Sequence, residues 1–284
     1  MEKQSLETPI SRLENGILRD MSDQVALEEP LEIRLDFRDG YDRQQKSLSI
    51  TMRTPGHDEE LAAGFLFTEG ILRFPKDITG IAGCGPASGA HKGKNIVKVR
   101  LSDEATVQWP KLERHFYATS SCGVCGKASL DALEVQGLKP IPRDEFRIDM
   151  REISELSARL RSHQAVFDQT GGLHAAATFN ESGQLLDIRE DVGRHNAVDK
   201  LIGSQFLAGK TPLSNRLLFL SGRASFELVQ KAVVAGIPMI AAVGAPSSLA
   251  VELAKRFDVT LLGFVRDSRF NVYHGAWRLT GGGK

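Results

Sequence analysis

Two of the three cysteines in this chain, Cys122 and Cys125, stand three residues apart in the run Ser120-Ser121-Cys122-Gly123-Val124-Cys125-Gly126-Lys127. Glycine at 123 and 126 lets such a loop bend and lets another backbone or ligand come close. The reactive form of a cysteine is its thiolate, and a free thiol with a pKa of about 8.5 is activated by nearby positive charge or a helix N-terminus. Lys127 and a helix expected over 127–133 supply both. Three chemistries fit the pair. A sulfur relay would use Cys122 as nucleophile on a persulfide and carry the terminal sulfur onward. A zinc half-site would need two chains to share the metal, because a structural zinc takes four ligands and no second CxxC exists. A dithiol oxidoreductase expects its motif after a strand in a βαβ context, with an aromatic or proline neighbour. The sulfur relay is the preferred reading, and an inert loop is the bland one. The third thiol, Cys84, lies in the turn-rich Ile81-Ala82-Gly83-Cys84-Gly85-Pro86 and reads as structural.

A second group of residues points to an anionic ligand. Three apolar runs of the C-terminal half lead into Ser221-Gly222-Arg223-Ala224-Ser225, Gly244-Ala245-Pro246-Ser247-Ser248 and Arg266-Asp267-Ser268-Arg269. Ligands of open α/β sheets bind beyond the carboxyl ends of the strands. Free N–H groups at helix starts favour anions there, and Arg223, Arg266 and Arg269 add guanidinium forks suited to phosphate. No P-loop or GxGxxG is present, so ordinary ATP and NAD enzymes are poor candidates. A serine at a helix start is more often only a cap. A third cluster, Asp168 to His174 with Arg189 to Asn196, offers His174, His195, Glu190 and Asp191 for metal or acid–base work. The competing structural reading makes Thr170-Gly171-Gly172 a tight turn and Asp191 a helix cap.

The elements that must position these groups are legible in the periodicity. Residues 1 to about 30 are mixed and polar, partly extended. Strands are predicted at Leu31–Phe37 and Ser47–Met52, paired as a hairpin, then a helix from His57 with acidic residues in its first turn and an end near Gly70, then a strand at Asn95–Leu101. After Pro140 and Pro142, helix signals resume over 149–161. A hairpin follows, His174–Phe179 and Leu185–Arg189 around Asn180-Glu181-Ser182-Gly183. A helix at Asn196–Phe206 precedes strand Leu217–Leu220, helix Ser225–Ala235, strand Pro238–Val243, helix Ser248–Phe257 and strand Val259–Phe264. That βαβαβ alternation predicts a parallel sheet. The expected domains are a smaller α+β unit over 1–145, ending in the CxxC loop and its helix, and an α/β unit over 146–284.

The chain has 284 residues and is 41% hydrophobic, enough for one large or two modest domains. Lys+Arg and Asp+Glu are equal at 36 each, so no broad nucleic-acid footprint is expected. No apolar run approaches the roughly 20 residues of a membrane span, and Met1-Glu2-Lys3-Gln4-Ser5 has no signal-peptide character. Few cysteines and no export signal fit a reducing cytoplasm.

The run Ser120–Gly126, together with Gln169-Thr170-Gly171-Gly172-Leu173-His174, Glu190–Lys200, Ser221-Gly222-Arg223 and Gly263-Phe264-Val265-Arg266, resembles the formate dehydrogenase accessory sulfurtransferase family, FdhD/NarQ. The resemblance spans most of the chain in order. It implies a cytoplasmic sulfurtransferase, a persulfide carrier loaded at Cys122 by a cysteine desulfurase, with Cys125 assisting. The sulfur would pass to the bis(molybdopterin guanine dinucleotide) molybdenum cofactor, bound as substrate, for the catalytic subunit of formate dehydrogenase. The guanine arms would lie at the strand edge, at Phe264, Val265, Arg266, Asp267, Ser268 and Arg269 with Ser221, Gly222 and Arg223, and GDP would mimic them. The family also implies a cytidine-deaminase-like C-terminal fold. The zinc-deaminase ligand set is missing near Gly193-Arg194-His195-Asn196-Ala197, so deamination is disfavoured and no resident metal is expected. The alternative is an insertion chaperone that binds the cofactor without transferring sulfur, its thiols incidental or zinc-binding. The residues leave open a homodimer, the client dehydrogenase, and the roles of His174 and His195.

Overall fold

The computed structural model describes residues 3–88, 93–105, 107, 137–144, 146–266 and 269–281. Cys122, Cys125, Asp267, Ser268 and the helix expected at 127–133 lie outside the described residues. Strands β1 (Ser5–Glu14) and β2 (Ile17–Ala26) form a hairpin, where only partly extended chain was expected. The signal was present as Asn15-Gly16, with φ of 51° and 79°, the positive pair that a two-residue hairpin turn requires.

Strands β3 (Glu29–Asp39) and β4 (Asp42–Arg53) pair as the expected hairpin. With β5 (Ile78–Ser88) and β6 (Gly93–Leu101) they make a sheet of order β4-β3-β6-β5. Cys84 therefore sits in an edge strand, opposite Ile96, and not in a run of turns. Its flanking glycines hide the strand period. Pairing with β6, including a register shift between Cys84 and Ala87, supplies the ladder that local propensity does not. Helix α1 (Asp58–Thr68) follows β4 and is clamped at its start by Arg53, whose buried guanidinium donates two 2.9 Å bonds to the Asp58 carboxylate.

The second sheet has the order β13-β12-β11-β10-β8-β9. Its strands are β8 (His174–Phe179), β9 (Leu185–Asp191), β10 (Leu217–Leu220), β11 (Met239–Ala242), β12 (Thr260–Arg266) and β13 (Arg269–His274). The expected βαβαβ core is there, with β10, β11 and β12 parallel. The sheet as a whole is mixed, because the β8–β9 hairpin joins β10 antiparallel and β13 folds back on β12. A short parallel bridge links β7 (Ile148–Asp149) to β14 (Leu279–Thr280). The helices are α2 (Met150–Arg161), α3 (Ala165–Thr170), α4 (Arg194–Leu207), α5 (Phe226–Val234) and α6 (Ser248–Arg256).

Strand alternation divides the core. Leu218, Leu220, Ile240, Ala242 and Leu261 face α4, α5 and α6, whereas Leu217, Phe219, Met239, Ala241 and Leu262 face α2. A third cluster fills the space between the small sheet and α1, and Phe206 of α4 reaches into it and stacks on Phe67 at 4.6 Å. Two glycines make the α1–α4 contact close. A Cβ at Gly64 would fall 1.9 Å from the Asp199 carbonyl oxygen, and one at Gly203 would fall 1.9 Å from that of Glu60. Among the described residues no helix is long and apolar enough to cross a membrane.

Candidate functional site

The C-terminal ends of β10, β11 and β12 open on one edge, and hydrogen bonds stitch their loops together. The Gly244 N–H donates to Gly222 O at 2.9 Å, and the Phe264 N–H donates to Gly244 O at 3.2 Å. Small residues permit this stacking. A Cβ at Gly244 would lie 2.9 Å from Arg223 Cγ, and one at Gly263 would lie 2.9 Å from Pro246 Cδ. The Ser221 hydroxyl accepts from the Ala175 N–H at 2.8 Å, which fixes the loop to β8.

The predicted ligand residues separate by orientation. Arg223, Arg266 and Arg269 are exposed on this edge. Phe264 adopts a φ of 55°, at a register shift of β12 against β13, and its ring is 39% exposed. Positive φ at a bulky residue is a rare backbone state, and a bulge there turns the side chain outward. Val265, by contrast, is fully buried in the core on the α2 side, so only its backbone can face a ligand.

The segment Glu190–Lys200 crosses from this edge into the interior. Lys200 donates to Thr54 O at 2.8 Å and lies 2.7 Å from Asp191 Oδ2, with both charged side chains fully buried. Asp191 Oδ2 also accepts from the Thr54 N–H at 3.2 Å, and Oδ1 accepts from the Gly193 N–H at 2.8 Å and from Asn196 at 3.1 Å. Asn196 in turn donates to Met52 O at 2.7 Å. One helical turn further along α4, Asp199 lies 2.9 Å from Lys231 of α5, which donates to Thr68 at 2.9 Å and to Glu69 at 3.2 Å. Burial opposes the charge on Lys231, but the Asp199 and Glu69 carboxylates outweigh it and raise its pKa. Most polar side chains of this segment thus join the two sheets.

The suggested His174, His195, Glu190 and Asp191 group is not assembled. Glu190 turns away to accept from the Val166 and Phe167 N–H groups at 3.3 and 3.1 Å, and Asp191 is consumed by Lys200. The alternation of β9 sends neighbouring side chains to opposite faces. Among the described residues no three His, Cys, Asp or Glu side chains are grouped to hold a metal ion.

His174 and His195 do reach the ligand edge. A Cβ on Gly222 would lie 3.3 Å from His174 Nδ1, and the Ser225 hydroxyl is 3.4 Å from His195 Nε2. Arg194, quoted with the motif but given no role by the sequence, acts on both rings. Burial, then the Arg194 and Lys231 charges, push His195 down to about 4. Burial and Arg194 also lower His174. Both imidazoles are therefore neutral near pH 7. Arg194 Nε is buried without a hydrogen-bond partner among the described residues. Helix α4 begins at a glycine N-cap with no acidic residue in its first turn. The edge therefore carries arginine charge, neutral imidazoles and backbone donors, a set that suits a phosphorylated ligand.

The comparisons with known proteins agree over most of the chain. The family model described as the FdhD/NarQ family matches residues 26–280. A protein of Streptomyces coelicolor named sulfur carrier protein FdhD is 50% identical over 272 residues, covering 95% of this chain and 94% of that one. A protein of the same name from Thermoplasma volcanium is 43% identical over 270 residues, with the same coverage. A crystal structure of a candidate formate dehydrogenase accessory protein from Desulfotalea psychrophila superposes with a TM-score of 0.74 at 27% identity, covering 98% of this chain and 100% of that one. On the family match and these identities, this chain belongs to the FdhD/NarQ family.

Proposed function

We propose that this protein is a sulfur carrier acting in the cytoplasm. It takes persulfide sulfur from a cysteine desulfurase and passes it to the bis(molybdopterin guanine dinucleotide) cofactor used by a formate dehydrogenase. The observation that carries the reading is 50% identity, over 95% of the chain, to a protein named as a sulfur carrier. The phosphate-suited strand edge supports it, as does a sequence in which Cys122 and Cys125 frame Gly123-Val124. The unit built on the large sheet is read as cytidine-deaminase-like.

In the loading step the Cys122 thiolate attacks the outer sulfur of the donor persulfide, and the desulfurase thiolate leaves. No net oxidation occurs. Delivery as sulfide needs two electrons. Attack of the Cys125 thiolate on Cys122 Sγ displaces hydrosulfide towards the metal and leaves a Cys122–Cys125 disulfide, which a dithiol reductant restores. The strand edge holds the cofactor's guanine nucleotide arm, with Arg223, Arg266 and Arg269 at its phosphates and the Phe264 ring against its base. His174 and His195, being neutral, can donate or accept a single hydrogen bond there without adding charge.

Intact mass spectrometry after incubation with a desulfurase and cysteine tests the reading. The wild type should gain one sulfur atom, removable by a thiol reductant, and Cys122→Ala should gain none. An unmodified wild type would instead favour the cofactor-binding chaperone, and an equal gain by the variant would move the acceptor to another residue.

A further inference from the structure

Among the described residues, Arg194 is the only charged side chain of the Glu190–Lys200 segment with neither a hydrogen bond nor an ion pair. It is half-buried, and its Nε is closed to solvent. The buried cations elsewhere are satisfied. Arg53 has Asp58, Lys200 has Asp191 and Lys231 has Asp199. Arg278 donates to the carbonyl oxygens of Asp258 and Pro142 at 2.6 and 2.7 Å. The Glu227 carboxylate feels the Arg194 charge without pairing with it, and Asp191 is taken by Lys200. An unmade buried hydrogen bond costs free energy, and a place kept for a ligand is one of the few reasons for a native chain to carry one.

The surroundings of Arg194 suit a small anion. Its charge reaches both His174 and His195 and helps to keep the two rings neutral. His195 Nε2 lies 3.4 Å from the Ser225 hydroxyl, which stands at the N-cap of α5 without capping it. Helix α4 likewise starts at an N-cap that makes no side-chain bond. A neutral imidazole donates one hydrogen bond without adding charge, while the guanidinium supplies both charge and a two-pronged fork. The exposed Arg223, Arg266 and Arg269 can follow a nucleotide's phosphates along the rim. The Arg194 Nε is shut off from solvent, so only a compact group reaches it. On the sulfur-carrier reading the substrate carries two kinds of anionic group, its phosphates and the oxo ligands of its metal. The rim arginines meet the first, which leaves Arg194 for the second.

We propose that Arg194, with His174 and His195, forms a subsite for a compact oxyanion, the oxo-bearing metal end of the substrate, apart from the arginines that face its phosphates. The identity of that oxyanion rests on the sulfur-carrier reading. Equilibrium dialysis of the full chain against molybdate at neutral pH, with molybdenum measured by mass spectrometry, tests the subsite. The wild type should bind molybdate, and Arg194→Gln should weaken binding by at least about tenfold, the loss of a charged hydrogen bond. Arg151→Gln makes the same change of charge at an exposed site on α2 and should leave binding unaltered. Saturating GDP should leave molybdate bound, because the nucleotide's phosphates lie at the rim. In urea, Arg194→Gln should unfold at or above the wild-type midpoint, since it removes a charge with no partner in the fold. A wild type that binds no molybdate at millimolar concentrations would overturn the proposal. So would equal binding by Arg194→Gln, or displacement by GDP, which would give the oxyanion site to the nucleotide arm. A lower urea midpoint would also overturn it, by giving Arg194 to the fold. Persulfide loading read by intact mass needs no oxyanion, so the subsite and the sulfur-carrier reading can fail separately.

Discussion

The Lys200 ammonium lies 2.7 Å from the Asp191 carboxylate with both side chains fully shielded from water. Lys200 also bonds Thr54 O, and the Thr54 N–H bonds the same carboxylate, so the pair ties the large sheet and α4 to the end of β4. Removing one member of a buried pair strands the other charge, at a cost of about 3–5 kcal/mol. Lys200→Met should lower stability by that amount in urea unfolding. Lys200→Met with Asp191→Asn should cost less than the two single changes summed, because no charge is then left unpaired. A loss under about 1 kcal/mol for Lys200→Met would be a surface-type effect and would shift this segment from architecture to ligand contact.

Helix propensity and packing make opposite predictions at Gly203. In an isolated helix, glycine to alanine is favourable by roughly 0.5–1 kcal/mol. Here the new methyl would fall 1.9 Å from the Glu60 carbonyl oxygen of α1. Gly203→Ala should therefore lower the thermal midpoint, as overpacking typically costs about 1–3 kcal/mol or more. An unchanged or higher midpoint would mean that α1 and α4 can separate at little cost.

His195 should make stability pH-dependent on the acid side. Its folded pKa is pushed down to about 4, below the ordinary histidine value. Between about 6.5 and that value the unfolded chain binds the proton and the folded chain resists it, so stability falls as pH drops through this window. Replacing His195 by Asn should flatten that part of the profile in denaturant titrations at stepped pH. Glu60 acts lower still. Burial opposes its ionisation, but Arg189 and His57 outweigh it and hold it at about 2. Its stabilising contribution is full above about 4.5 and is lost as pH falls towards 2. Glu60→Gln should remove that second slope and leave the first.

Guanine nucleotide should bind at the strand edge. Arg223→Ala or Arg266→Ala should weaken GDP by roughly 1.5–3 kcal/mol if each supplies a charged hydrogen bond to phosphate. Val265→Ala should change stability rather than the phosphate contact, since its side chain points into the core on the α2 side. Calorimetry would separate the two effects, and equal affinity for GDP and ADP would remove the guanine assignment.

Short-range pattern determined much of this protein. Alternation at Leu31–Phe37 and Ser47–Met52, acidic residues after His57, and apolar runs separated by helical stretches from Leu217 to Phe264 each need only near neighbours to be read, and the structure places strands, helix and βαβαβ core there. The loops at Ser221, Gly244 and Arg266 were legible for the same reason, because strand polarity puts their starts on one edge. Tertiary structure decided what those segments face. Cys84 became an edge strand only because β6 offers a ladder 12 residues away. Val265 and Arg266 are neighbours in a ligand-like run, yet the pleat buries one and exposes the other. Asp191 read as a member of an acid–base cluster or as a helix cap, but Asp191 and its neighbours Asn196, Asp199 and Lys200 find their partners Met52, Thr54 and Thr68 more than a hundred residues earlier. A side chain's charge and shape are written in the sequence, whereas the group that neutralises it is brought by the fold.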